Sequence, residues 1–347
     1  MSKIKVGLIG SGFIAEHHAY AYRLLPNVEI IGCSSILEDQ AKLLMKKFNI
    51  PGEPIKNYKD LLDMDCDTVS ICLPNYLHKE VGIAALESGK HIIIEKPLAR
   101  NSKEGKELLD TAKKVNKKIF YCENNIYAPA FRKIKEIIQQ NGIGKIYNAR
   151  GREQHSGPHS EWFYKKEKAG GGALLDLGVH DIALLVYLLG IKVEKVFCQT
   201  TITQPDRKEF GICEVEDNVI GLLYFENGAM STIEESWTAP GGYQMLIEIH
   251  GTAGEIICDP TRMTPLKVYS ENGYGYAVEK ASSTKGWTFP VPEEGWVFGY
   301  PQEIKHFIEC IENNKNPDTD GEFALNILKI IDSMYKSAET GKIEKVI

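Results

Sequence analysis

The sequence predicts a two-part α/β protein: an N-terminal parallel sheet wound on both faces by helices, then an α+β part built on a mostly antiparallel open sheet. Three observations carry this. Over residues 1–125, short apolar runs alternate with helical patterns, as they do where a parallel sheet is buried on both faces. From about residue 145 the pattern changes to period-2 alternation, and Glu226-Asn227-Gly228 supplies a hairpin turn because Asn-Gly tolerates positive φ. At 347 residues the chain is long for one domain and comfortable for two, which places the division at 1–125 and 126–347.

The elements follow in order. In the first part the apolar runs 5–9, 29–33, 68–73, 91–95 and 118–122 are the expected strands. Helical patterns cover 15–25, 38–48, 79–88 and 102–115, and Gly89-Lys90 ends one helix before the next strand. In the second part, 149–154, 195–203, 217–225, 229–236 and 245–250 read as strands. Helices over 172–189 and 300–313 cover that sheet, and a last helix at 323–337 closes the chain.

Composition excludes several classes. The chain is 43% hydrophobic and 25% charged, ordinary for a globular protein. Its net charge of −6 argues against a nucleic-acid surface. Lys113, Lys114, Lys117 and Lys118 fall at a helix C-terminus, where cations suit the dipole. The eight cysteines are scattered without a Cys-x-x-Cys pair and read as buried free thiols in a reducing compartment. The chain enters a strand almost at once, so no signal peptide is expected. The most apolar stretch, 173–189, contains Asp176, His180 and Asp181, which disfavours a membrane span. The expectation is a cytoplasmic protein without membrane or nucleic-acid partners.

Gly10-Ser11-Gly12-Phe13-Ile14-Ala15 follows the first strand and opens a helix. The first glycine permits the tight turn, the second lets backbone approach a pyrophosphate, and the small Ala15 allows close helix–strand packing. The helix N-terminus offers unpaired N–H groups to phosphate. This is a Rossmann dinucleotide loop, with Gly10, Gly12, Phe13 and Ile14 as cofactor contacts. The second strand ends at Ser34 and Ser35, where NAD enzymes usually carry an acid. Serine does not repel a 2′-phosphate, which admits NADP. No arginine follows, and Glu38 and Asp39 oppose a phosphate, so the balance tilts slightly to NAD.

Glu95-Lys96-Pro97 ends the apolar run 91–94, at the carboxyl end of a parallel strand, where open α/β sheets bind ligands. Far downstream lies Gly170-Gly171-Gly172-Ala173-Leu174-Leu175-Asp176-Leu177-Gly178-Val179-His180. With Gly7-Leu8-Ile9-Gly10-Ser11-Gly12 and Leu73-Pro74-Asn75-Tyr76-Leu77-His78, these segments make the whole chain resemble the Gfo/Idh/MocA oxidoreductases, the family of glucose–fructose oxidoreductase and inositol dehydrogenase. The resemblance implies an NAD(P)-dependent enzyme with Lys96, Asp176 and His180 in its active site. It also implies a homodimer or homotetramer formed through the C-terminal sheets.

The chemistry of these residues agrees. Oxidising a secondary alcohol needs a group that takes the hydroxyl proton, and histidine is the natural base near neutral pH. Asp176 and His180 are four apart, which on one helix gives them a shared face. Lys96 would hydrogen-bond the reacting oxygen and stabilise its developing negative charge. Pro74 and Asn75 end a strand at the level of the nicotinamide ribose, His78 opens the next helix, and Glu95 supports the same region; with Lys96 and Pro97 these are the expected cofactor contacts there. Glu123 ends the following strand and is expected to line the cleft. The loop bearing His155, His159 and Trp162 suits a polyol: imidazoles for hydroxyls, an indole face for sugar C–H groups. Gly157-Pro158 breaks any helix between the two histidines, so no metal site is expected there. The reading is a dehydrogenase for a sugar, cyclitol or related polyol. Its rivals are an NAD-dependent glycosidase of the same fold and a non-catalytic nucleotide-binding regulator.

Overall fold

The computed structural model describes residues 3–207, 210–281 and 283–347. The first part runs β1 (Ile4–Ile9), α1 (Phe13–Arg23), β2 (Val28–Ser34), α2 (Glu38–Phe48), α3 (Tyr58–Leu62), β3 (Thr68–Ile71), α4 (Asn75–Glu87), β4 (His91–Ile94), α5 (Ser102–Lys114), β5 (Ile119–Tyr121) and α6 (Asn124–Tyr127). Its sheet has the order β2-β1-β3-β4-β5 with every pair parallel. All four residues of β3 are buried, as expected of a strand covered on both faces. Asn57 and Asn101 start α3 and α5 by accepting the backbone N–H groups of Lys59 and Glu104 at 3.1 and 3.0 Å.

The chain continues through α7 (Pro129–Gln139), β6 (Ile146–Gln154), a 3₁₀ turn at Glu161–Tyr164, α8 (Lys166–Ala169), α9 (Ala173–Asp176) and α10 (Gly178–Leu189). Then come β7 (Val193–Thr201), β8 (Asn218–Phe225), β9 (Met230–Ser236), β10 (Gln244–Gly251), β11 (Gly254–Cys258), β12 (Val268–Ser270), β13 (Gly286–Thr288), α11 (Glu294–Val297), α12 (Tyr300–Glu312), α13 (Gly321–Thr340) and β14 (Glu344–Lys345). Seven strands form one sheet in the order β11-β10-β6-β9-β8-β7-β14, and β12 with β13 makes a separate ribbon. The large sheet is antiparallel except between β6 and β9, which run parallel. The expected hairpin joins β8 to β9: Gly228 has φ +85°, and Asn227 Oδ1 accepts the Ala229 N–H.

The chain forms two compact units, Met1–Tyr127 with Gly299–Leu328, and Ala128–Phe298 with Lys329–Ile347. The sequence pattern assigns everything after 125 to the second part, whereas residues 299–328 return to the first unit. Side-chain packing explains the return. The rings of His17 and Tyr300 stack 4.5 Å apart, Phe307 lies 5.5 Å from Phe120, and Thr319 exchanges backbone and hydroxyl hydrogen bonds with Tyr121 at the edge of β5.

Among the described residues no single helix is long and apolar enough to cross a membrane. The stretch Lys166–Asp176 with Gly178–Leu189 passes only as a pair bent by 47°, and most of α10 is buried within its own unit. All eight cysteines are free thiols.

The core of the second unit holds an acidic trio. Glu153 on β6 pairs in register with Glu235 on β9, and Asp181 of α10 joins them; all three are buried. Gly151 makes room for this, since a Cβ there would meet Asp181 Oδ2 at 2.7 Å. Burial, and then the neighbouring Asp181 and Glu153 carboxylates, push Glu235 well above the ordinary carboxylate value of 4.5. A carboxyl raised on folding contributes stability that is complete below its unfolded value and lost as pH rises through its folded value. Thermal melts between about pH 5 and about pH 9 therefore fall more steeply for the wild type than for Glu235→Gln. Parallel slopes would contradict this assignment.

Candidate active site

Gly10 follows β1 with φ +111°, and a Cβ there would lie 2.1 Å from the Cys72 carbonyl oxygen, so only glycine fits. Gly12 is the N-cap of α1 and offers no side-chain cap to the helix. A Cβ at Gly12 would meet nothing within 4 Å. The exposed Phe13 and half-buried Ile14 form the first turn, and the fully buried Ala15 packs on the sheet. Free space over an uncapped helix N-terminus fits a diphosphate. A Gly12→Ala substitution is thus expected to weaken NAD binding at least about tenfold with an unchanged melting temperature. Calorimetric titration checks this, and unchanged affinity would refute it.

At the end of β2, Ser34 is buried and Ser35 half-buried. Ser35 Oγ lies 2.8 Å from Ser11 Oγ and accepts the Leu37 N–H at 3.0 Å, which ties this turn to the glycine loop. Glu38 and Asp39 stand in the first turn of α2, with Glu38 paired to Lys42.

The ends of β3 and β4 carry the next predicted residues. Pro74 is the N-cap of α4 and Asn75 its buried first residue. His78 departs from the expected cofactor contact: it is fully buried, with Nδ1 2.8 Å from the Pro97 carbonyl and Nε2 2.7 Å from that of Leu73. Its ring braces the two loops from beneath, and burial holds its pKa below the usual value against the pull of both carbonyls. Lys96 is half-buried and followed by a cis peptide to Pro97. Glu95 is buried, its Oε1 2.9 Å from His18 Nε2 and its Oε2 accepting the Lys96 N–H at 3.2 Å. Burial alone would raise the Glu95 carboxyl, but the His18 hydrogen bond and the Lys96 ammonium outweigh it and hold the value below normal. His18, Glu95 and Cys122 bring three donor atoms within 4.8 Å of one another. Burial, reinforced by Glu303 and Glu95, keeps the Cys122 thiol well above its usual pKa, so it packs as a neutral thiol. Glu123, expected at a cleft wall, is instead fully buried near Glu303, whose carboxyl is pushed well up by burial and then by Glu95 and Glu123.

In the second unit the expected single helix over 172–189 is broken. Asp176 ends α9, Leu177 is the joint, and His180 lies in the first turn of α10, so the shared-face argument does not hold. Glycine is required on both sides of the joint: a Cβ on Gly172 would lie 1.9 Å from the Glu216 carbonyl oxygen, and one on Gly178 would press on Leu174. Both side chains remain nearly buried. Asp176 Oδ2 accepts the indole N–H of Trp237 at 3.1 Å. Trp237 is itself fully buried against the edges of Phe163 and Tyr164. Its carbonyl accepts from Arg207, which pairs with the buried Asp217 at 2.7 Å and sits over the Tyr164 ring. Trp237 and Arg207 were not singled out in the sequence, because neither belongs to a spaced motif.

The loop after β6 divides the remaining candidates. His155 is fully buried; its Nδ1 accepts the Gly157 N–H at 2.9 Å, and its Nε2 lies 3.2 Å from Lys280 Nζ. Its ring is thus engaged in holding the loop, contrary to the expected substrate contact. His159 is exposed, and the half-buried Trp162 stacks on Phe163 at 3.7 Å, so of the three predicted loop residues these two keep accessible surface.

Comparison with known proteins follows this division of the chain. Residues 4–122 match the oxidoreductase family with an NAD-binding Rossmann fold, and residues 131–257 match the GFO/IDH/MocA C-terminal domain. The chain is 27% identical to myo-inositol 2-dehydrogenase of Thermotoga maritima, over 99% of this chain and all of that protein. It is 30% identical to levoglucosan dehydrogenase of Pseudarthrobacter phenanthrenivorans over 77% of this chain and 76% of that one. A structure of a levoglucosan dehydrogenase in complex with NADH and levoglucosan superposes with a TM-score of 0.85 at 28% identity, covering 99% of this chain and all of that one. The buried parallel sheet, its glycine loop and these matches together place the chain in the Gfo/Idh/MocA family of NAD-binding oxidoreductases.

Proposed function

We propose that this enzyme catalyses NAD-dependent oxidation of a secondary alcohol in a sugar, cyclitol or related polyol, or the reverse reduction. The observation that carries the reading is the common placement of Gly10, Pro74 and Lys96 at the carboxyl ends of β1, β3 and β4. The strand order changes direction between β1 and β3, and open α/β sheets bind ligands at the carboxyl ends beside such a point. Bound NAD supplies the hydride acceptor. Gly10, Gly12, Phe13 and Ile14 would hold its diphosphate, Ser34 and Ser35 its adenosine ribose, and Pro74 and Asn75 its nicotinamide ribose. The second unit supplies Asp176, His180 and the loop of His159 and Trp162.

In this reading His180 takes the hydroxyl proton and returns it in the reverse direction. Lys96 donates a hydrogen bond to the reacting oxygen and stabilises its negative charge. Asp176, held by Trp237, orients the imidazole or a neighbouring substrate hydroxyl. The inositol and levoglucosan specificities of the two relatives support a polyhydroxylated substrate. Glu38 and Asp39 at the start of α2 favour NAD over NADP, since a 2′-phosphate would meet two carboxylates. The free thiols support a cytoplasmic setting, and exposed Tyr147, Ile220 and Met230 on the large sheet support a homodimer or homotetramer formed through that sheet.

Nicotinamide absorbance across a panel of polyols and aldoses, with NAD and NADP run separately, tests the reading. The expected result is turnover with at least one polyol and a preference for NAD. A preference for NADP of more than about tenfold in kcat/KM would overturn the coenzyme assignment.

A further inference from the structure

We propose that His18 is a positioning residue, acting through Glu95 to fix Lys96; this rests on the assignment of Lys96 above. His18 lies on α1, two turns beyond the glycine loop, and is fully buried. It stands in a string of hydrogen bonds: Tyr22 Oη to Ser70 Oγ at 2.6 Å, Ser70 Oγ to His18 Nδ1 at 3.2 Å, and His18 Nε2 to Glu95 Oε1 at 2.9 Å. The other Glu95 oxygen accepts the Lys96 backbone N–H.

The ionised Glu95 carboxylate only accepts, so His18 Nε2 carries the proton of that bond. Tyr22, whose phenol burial holds well above its usual pKa, stays protonated at the far end of the string. The carboxylate is anchored at both oxygens in a largely buried site, where a charge-assisted bond is strong and a missing one is costly. Tyr22 and His18 come from α1, Ser70 from β3, and Glu95 follows β4. The string therefore fixes Lys96 against the helix that opens at Gly12 and against the neighbouring strand. A lysine on a flexible stem needs such support, because misplacement by about 1 Å can cost about a hundredfold in rate.

The test uses the full chain with NAD and the substrate identified by the panel. His18→Leu is expected to lower kcat by about a hundredfold while KM and NAD affinity stay near wild type. His18→Gln, whose amide nitrogen can replace Nε2, recovers most of that loss. Adding His18→Leu to Lys96→Ala lowers the rate no further, because both changes remove one unit. Ser70→Ala, a smaller change, produces a partial loss and carries the test if His18→Leu does not fold. Without substrate, acetic anhydride labelling followed by mass spectrometry is expected to modify Lys96 severalfold faster in either variant than in the wild type, relative to exposed lysines. Wild-type turnover and labelling in His18→Leu and Ser70→Ala, or fully additive losses with Lys96→Ala, overturn the proposal. If Lys96→Ala itself retains wild-type kcat, the reading of the site fails and this inference fails with it. If Lys96→Ala loses activity while His18→Leu and Ser70→Ala keep it, only the inference fails.

Discussion

Replacing His180 with asparagine is expected to lower kcat by about 10²- to 10⁴-fold, the usual contribution of a general base. An alcohol loses hydride readily only as its hydroxyl proton departs, and among the candidate groups imidazole alone titrates near neutrality without a perturbing environment. His180 sits in the first turn of α10, nearly buried, where the backbone fixes its Cα and leaves the ring to be aimed by its neighbours. Asparagine keeps a polar group of similar reach but cannot carry the proton, so substrate affinity changes little and the loss appears in kcat. Steady-state kinetics with NAD in excess reads this directly. Near-normal kcat in His180→Asn, with activity abolished in Lys96→Ala, would exchange the two roles and make Lys96 the acid/base.

The second large effect is at Lys96, where alanine is expected to lower kcat and kcat/KM by about 10²- to 10³-fold. A fixed ammonium at the developing alkoxide is worth more in the transition state than in the ground state, which is why both parameters fall together. Arginine is a poor replacement, because its planar fork does not reproduce a compact point charge at the same place. NAD affinity, resting on the glycine loop at the other strand ends, should survive in Lys96→Ala. That separates a catalytic defect from a folding one.

The parallel half was readable because its signals are local. Four-to-six-residue apolar runs have little freedom except as strands buried on both faces, and Gly10 and Gly12 mark a turn that few other backbones need. Features set by contacts distant in sequence were harder to read. The joint at Leu177 lies inside an apolar stretch with unbroken helical periodicity, and the close approach of Gly172 to the Glu216 carbonyl at the start of α9 joins residues 44 apart in sequence. The return of residues 299–328 to the first unit depends on Tyr300 meeting His17 and Phe307 meeting Phe120, pairings with no sequence spacing to betray them. Period-2 alternation locates β6 and β9 but is silent on their parallel pairing.

The site shows the same division. Lys96, Asp176 and His180 stand in motifs, whereas Trp237, which bonds Asp176, and His18 and Ser70, which bond to Glu95 and to each other, are single residues outside any motif. His155 and His78 were misjudged in the opposite sense. Both lie among polar or loop residues that suggest exposure, and both are fully buried, His78 between two backbone carbonyls and His155 between the Gly157 N–H and Lys280 Nζ.

The central claim is that this chain reduces NAD at the expense of a polyol hydroxyl using Lys96. The most direct measurement follows nicotinamide absorbance for wild type and Lys96→Ala over a polyol and aldose panel, with NAD binding measured in parallel. The account predicts net NADH formation with at least one polyol, lost in Lys96→Ala while NAD still binds. NAD binding with no turnover on any polyol would contradict it in favour of a regulator, and sugar release without net NADH would contradict it in favour of a glycosidase.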